Sequence, residues 1–299
     1  MAVDRCTGGD ELPEGCIAKA LSLTSPKDAC RLSLVASPFR SAAESDAVWD
    51  RFLPPDYYDI ISRSIDGPDS LAFGSKKELY LYLCDNPILI DSGTKSFSLE
   101  KWSGKICYML AARSLQIVWV DTPRHWRWIS LPESRFSEVA ELLDVCWFDI
   151  SGKINTNMLS PDTRYGAYLV FTTKSRTYGF ENQPAESSVG IAGHERDTHT
   201  FYLNPQGGRR QRQYRYQVVP RRLGIFTHHM ARILREETED TPKGHHPKQR
   251  SDGWMEIELG EFFVKRGQEA ELEMSLTEVK GGDRKSGLIV EGIDIRPKE

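Results

Sequence analysis

The 299-residue sequence predicts an α+β fold: a small helical module at the amino-terminal end, followed by an antiparallel β-sandwich. Three observations carry this. Short amphipathic stretches with capping residues fill the first 57 positions, the hydrophobic period drops to two from about residue 105, and the strand-like runs beyond it follow one another without helical crossovers. The chain divides accordingly into residues 1–57, a mostly helical connector at 58–104, and a strand-rich region at 105–299 with an insertion at about 181–250.

The helices read in order. In "LPEGCIAKALSL", Ile17, Ala20 and Leu21 share a face, and Pro13 suits a first turn, where its missing N–H has no intrahelical partner. In "TSPKDACRLSLV", Ser25 is the N-cap, Pro26 the first helical residue, and Asp28 puts negative charge at the positive end of the dipole. "SDAVWDRFLPPDY" repeats the pattern, with Ser45 as cap, Val48, Trp49 and Phe52 along one side, and Pro54 and Pro55 as the stop. Three helices in under 60 residues bury little surface alone, so part of their apolar face awaits a partner. In the connector, "YYDIISRSI" and "KKELYLYLCD" read as helices, and "SIDGPDS" and "DSGTKS" as loops.

Alternation marks the strands. "SLQIVWVD" sets Leu115, Ile117 and Trp119 against Gln116, Val118 and Val120, and "GWMEIELGEFF" sets Met255, Ile257 and Leu259 against Trp254, Glu256 and Glu258. "DVCWFDISGKI", "YGAYLVFTT", "AELEMSLTEV" and "SGLIVEGIDI" add further runs, and "GGDRKSG" reads as a hairpin turn. The insertion holds "GGRRQRQYRYQVVPRR", in which Arg209, Arg210, Arg212 and Arg215 form a nuclear-import candidate; a solvated face is the equally weighted alternative.

Bulk properties narrow the function classes. A net charge of -4 provides no general attraction to nucleic acid or to an acidic membrane surface. No apolar run approaches the length of a signal peptide or a membrane span, so a soluble intracellular protein is expected. The six cysteines, at wide and irregular spacing, form no C-x-x-C pair and read as reduced thiols. No H-E-x-x-H, G-x-S-x-G or P-loop occurs, and the His pairs at 228–229 and 245–246 lack metal-ligand spacing. The expectation is therefore a non-catalytic protein with no cofactor and no metal.

Residues 12–54 resemble an F-box. The Leu12-Pro13 start, the "SPKDACRLSLV" second helix and the "SDAVWDRFLP" ending carry the resemblance, with Phe39 departing from the tryptophan many F-boxes hold there. The resemblance implies docking on the Skp adaptor of a cullin-RING ubiquitin ligase. Leu12, Pro13, Ile17, Leu21, Leu32, Val35 and Trp49 are the residues placed at that surface.

From about residue 112 onward the chain resembles the phloem-protein-2-like lectin domain of the tobacco-agglutinin (Nictaba) family, on "ARSLQIVWVDTPRHWRW", "EVAELLDVCWFDISGKI", "YGAYLVF", "RSDGWMEIELGEFF", "AELEMSLTEV" and "KSGLIVEGIDIRP". F-box followed by this domain is the arrangement of the plant F-box phloem-protein-2-B type. The resemblance implies a jelly-roll β-sandwich, work in cytoplasm and nucleus, and binding of N-acetylglucosamine oligomers or N-glycan cores at residues matching Trp119, Trp126, Glu271 and Glu278. Such a pairing is chemically apt, because an indole covers the C–H face of a pyranose while a carboxylate accepts its rim hydroxyls. Parity assigns Trp119 to the core beside Leu115 and Ile117, and the turn-like "DTPRH" before Trp126 and Trp128 assigns these to an exposed loop, Trp128 either serving beside Trp126 or plugging the sandwich. Trp147 and Trp254 read as core, Glu271 as outward-facing, and Glu278 as in phase with the apolar face of its strand.

Overall fold

The computed structural model describes residues 12–180, 184–191, 196–201, 203 and 246–298. The chain separates into two compact units, Met1–Tyr108 and Met109–Glu299.

The first unit is built from α1 (Glu14–Leu21), α2 (Pro26–Leu32), α3 (Ser37–Glu44), α4 (Asp46–Phe52), α5 (Tyr57–Ser62) and α6 (Lys76–Asp85). The caps are where the sequence puts them. Ser25 accepts from Asp28 N at 3.1 Å, Pro26 opens α2, and Ser45 accepts from Ala47 N. α3 was not legible in advance. It supplies the buried Ala42 and Ala43 and packs against α1, closing over Ile17 and Leu21. Trp49 is the anchor of this core: its ring lies 5.6 Å from Phe52 and 5.1 Å from Tyr80, and its indole N–H donates to the Ala43 carbonyl at 2.7 Å. Beyond α6, β1 (Ile88–Ile90) and β2 (Lys95–Leu99) form an antiparallel hairpin within the stretch read as mostly helical. Its turn passes Asp91, Ser92 and Gly93 through positive φ, which the "DSGTKS" loop signal anticipated without the flanking strands.

The second unit is made of antiparallel strands. β3 (Ile106–Ala111) runs across the unit boundary, and β4 (Gln116–Ile117), β5 (Trp126–Ile129), β6 (Val139–Leu142), β7 (Phe148–Asn155), β8 (Thr163–Tyr178), β9 (Ala185–Ile191), β10 (Asp197–Phe201), β11 (Lys248–Gln249), β12 (Met255–Val264), β13 (Glu271–Glu278) and β14 (Ser286–Pro297) follow. One sheet contains β14-β8-β12-β11, with β6 also on β14 and β5 on β6; the other runs β10-β9-β13-β7-β4. Register aligns apolar rows: Leu169 faces both Ile257 and Ile293, and all three are buried. Burial of such rows is the main favourable term in the unit. The two sheets also meet through polar groups, Ser187 on β9 donating to the Leu259 carbonyl on β12 at 2.6 Å. Gly292 lies so close to β3 that a Cβ there would strike the Leu110 carbonyl oxygen.

Three expectations are corrected. The segment 185–201, read as part of an insertion, is two strands of the five-stranded sheet: β9 pairs along β13, with Ala185, Ser187 and Val189 inward. Small residues in "AESSVGI" gave too little hydrophobic contrast to show it. "GGDRKSG" is not a hairpin turn, because β13 and β14 lie in different sheets and the loop between them crosses over. The strand expected over "SLQIVWVD" stops at Ile117, and Val120 N turns back to the Ile117 carbonyl. No helix among the described residues is long and apolar enough to cross a membrane.

Candidate functional site

The early end of β4 is what matters most for the tryptophans. Once the strand stops at Ile117, parity no longer governs, and Trp119 adopts a left-handed backbone with φ 61°. That conformation is uncommon for a bulky residue and turns the side chain outward. Trp119 is 42% exposed and Trp126 only 2%, the reverse of the parity and turn readings. Trp126 begins a paired strand, stacks near Phe148 at 6.3 Å, and donates its indole N–H to the Val118 carbonyl at 3.0 Å. It holds the loop from below. Trp128 is half-buried, with the Arg113 guanidinium 3.8 Å over its ring, and Arg113 also binds Glu138.

Three loops converge at this end of the second unit. In the loop 118–125, the Trp119 ring lies 5.2 Å from the His125 ring, and His125 Nδ1 bonds the Asp144 carbonyl oxygen at 2.6 Å. The segment 143–147 is tied to the β13–β14 loop by reciprocal backbone bonds between Val145 and Lys285, at 3.1 and 2.7 Å. Gly179, at φ 90°, lets the Arg284 carbonyl approach where any Cβ would collide.

Glu278 fixes that third loop from inside. Its side chain is 2% exposed, one carboxylate oxygen pairs with the fully buried Lys285 ammonium, and the other accepts from Gly281 N at 3.0 Å. Lys285 also donates to the Cys146 and Asp283 carbonyls. A buried pair of this kind is costly to break from one side only. Glu271, at the other end of the eight-residue β13, is exposed and bound to Lys153 at 2.6 Å. Strand geometry separates the two glutamates by roughly 20 Å and puts them on opposite faces. The site that unites Trp119, Trp126, Glu271 and Glu278 is therefore not assembled: only Trp119 reaches solvent at the loop end.

The sequence reading missed one residue here. Trp147, assigned to the core, is 48% exposed, because Phe148 takes the inward position at the start of β7. Burial raises the pKa of the Asp149 carboxyl, and the nearby Trp147 indole N–H works against that rise. Asp149 also accepts Val118 N through its backbone oxygen at 3.1 Å. The strand period alone, with Phe148 and Ile150 inward, would have exposed Trp147 and Asp149.

In the first unit, of the residues expected at a docking surface, Leu12, Pro13 and Val35 are exposed and Leu32 is half-buried. Ile17, Leu21 and Trp49 are 5%, 1% and 1% exposed; they build the helical core instead. Leu23 and Leu34, at 68% and 80%, join the exposed aliphatic set. Phe39 is half-buried. Arg209, Arg210, Arg212 and Arg215 lie outside the described residues. Among the described residues no group of His, Cys, Asp and Glu side chains could hold a metal ion.

The family model for phloem protein 2 matches residues 105–297. Three curated relatives from Arabidopsis thaliana run nearly the whole length. The F-box protein At2g02240 is 48% identical, over 96% of this chain and 80% of its own. F-box protein PP2-B10 is 46% identical over 96% and 93%, and F-box protein PP2-B15 is 45% identical over 96% and 96%. A helical module ahead of this strand-built domain, matched end to end, places the chain in the phloem protein 2 family, among the F-box proteins of the PP2-B type.

Proposed function

We propose that this chain is the substrate-recognition subunit of an SCF-type cullin-RING ubiquitin ligase. In this reading the helices from Leu12 to Pro54 dock on the Skp adaptor, and the strand-built unit, a jelly-roll β-sandwich, captures the target. Capture goes through N-acetylglucosamine or an N-glycan core. The chain itself catalyses nothing; it raises the effective concentration of target lysines near the ubiquitin-charged enzyme. It works in cytoplasm and nucleus, with the arginine run at Arg209, Arg210, Arg212 and Arg215 as the import signal.

The observation that carries the reading is the aliphatic surface of the helical unit. Leu12, Leu23, Leu34 and Val35 are each at least 66% exposed, whereas the other large apolar side chains of residues 12–52 are buried or half-buried. Exposed apolar residues in the segments flanking α1 and α2 fit a protein partner. Affinity capture of the Skp adaptor by the full chain tests it. Capture is expected for the wild type and lost on Leu34→Asp with Val35→Asp, and on Leu12→Ala with Pro13→Ala; retention by both double variants overturns the docking surface.

A second reading keeps the ligase role but makes the target an unglycosylated protein. It is favoured by the burial of Trp126 and Glu278, two of the four residues the lectin resemblance assigns to sugar. A nucleocytoplasmic lectin without ligase role is the third. Glycan binding with Trp119→Ala separates these: a sugar reader loses its signal, whereas a protein reader shows none in the wild type.

A further inference from the structure

We propose that Trp147 is a second stacking platform, with the Asp149 carboxylate as the hydroxyl acceptor beside it, so that Trp119 and Trp147 together read two consecutive rings of a β-linked oligosaccharide. This rests on the sugar-capturing reading above and names residues the lectin resemblance does not.

Four observations lead there. Trp147 is 48% exposed immediately before β7, where Phe148 at 0% takes the core position. Trp147 stands two residues before Asp149, and its indole N–H favours the charged carboxylate there against burial. Second, the pairing of β4 with β7 sets Gln116 opposite Ser151 and Ile117 opposite Ile150, and Val118 N continues it to the Asp149 carbonyl at 3.1 Å. Trp119 is the next residue. With strands about 4.8 Å apart and a rise of about 3.3 Å per residue, the backbones at 119 and 147 lie within roughly 10 Å, the span of neighbouring sugar rings.

Third, the outer face beyond Asp149 carries short hydroxyl side chains, with Gln116 and Glu186 flanking them. Register puts Thr277 opposite Asp149, and Ser275 opposite both Ser151 and Ser188. Their small size leaves room above the sheet, and Thr277 Oγ1, which donates to the Glu186 carbonyl, keeps its lone pairs for a ligand's hydroxyl. Fourth, the loop bearing Trp119 and the strand bearing Trp147 share fixed supports: the Asp149 backbone holds Val118, and the Asp144 backbone holds His125 beneath the Trp119 ring.

The test is calorimetric titration of the full chain with N-acetylglucosamine and with chitotriose. Trp147→Ala is expected to weaken chitotriose about tenfold or more while leaving the monosaccharide within about twofold, since only the longer ligand spans both rings. Trp147→Phe should recover part of the loss, and Asp149→Asn should weaken chitotriose by less than Trp147→Ala. Trp119→Ala should weaken both sugars. If the wild type binds chitotriose and Trp147→Ala leaves that affinity unchanged, or weakens both sugars equally, the second platform is overturned and the sugar reading stands. If the wild type binds neither sugar, the sugar reading itself has failed and this inference with it.

Discussion

The helical segment 12–52 exposes leucines and a valine, whereas the loop end of the strand-built unit exposes indoles near a carboxylate. Aliphatic side chains offer surface but no polarity, so only another apolar surface complements them. In the proposed reading, Trp119 and Trp147 offer flat rings near Asp149 to a ligand that is apolar on its faces and hydroxylated at its edge. In that reading the contrast separates what each region meets. It also separates, within the second unit, residues that present from residues that support.

That second distinction can be broken by experiment. The largest effect is expected at Trp126, whose ring is buried near Phe148 and bonded to the Val118 carbonyl; Trp126→Ala should cost about 3–5 kcal/mol in denaturant unfolding. A cost below about 1 kcal/mol would return Trp126 to the surface. Next comes the glutamate pair. Glu278→Ala strands the buried Lys285 and should cost about 3 kcal/mol, while Glu271→Ala, whose partner Lys153 is exposed, should cost under about 1 kcal/mol by the same measurement. Equal costs would mean that the two acids are alike in role.

A third effect concerns acid. Burial pushes the Glu141 carboxyl up, but bonds from Lys174 and Arg127 outweigh it and hold the group below its ordinary value. Its contribution is therefore complete above the unfolded-state value and is lost as pH falls through the folded-state one. Melting curves taken from neutral to acid pH should show Glu141→Gln lower than wild type at neutral pH and converging on it in acid; a constant gap would exclude the linkage. The smallest stability change belongs to the other unit. Leu34→Asp with Val35→Asp should shift unfolding by less than about 0.5 kcal/mol, because both side chains already face water. A larger loss would show that they support the helices and do not simply present a surface.

Caps and periods made much of this legible. Ser25, Pro26 and Ser45 act through local chemistry, and long alternating runs such as 255–264 leave only one face to bury. What escaped was set by tertiary structure. α3, rich in alanine and serine, has little hydrophobic contrast, yet it decides that Ile17 and Leu21 face inward. β9 was hidden in the same way by its small side chains. The tryptophans were misassigned because parity was extended through Trp119, two residues past the end of β4, and because a turn-like approach was taken as exposure for Trp126. Glu278 was in phase with the apolar face, and the pattern was right; its buried partner, seven residues on across a loop, has no period to betray it.

Position 119 carries one more consequence. A side chain with a Cβ gives up about 1–2 kcal/mol to sit at φ 61°, a torsion that glycine accepts freely. Trp119→Gly should therefore relax the turn and melt no lower than Trp119→Ala, yet recognise nothing there. Selection for durability alone would favour glycine at that spot. In the proposed reading, an indole at that torsion is comfort the protein gives up in order to touch something else.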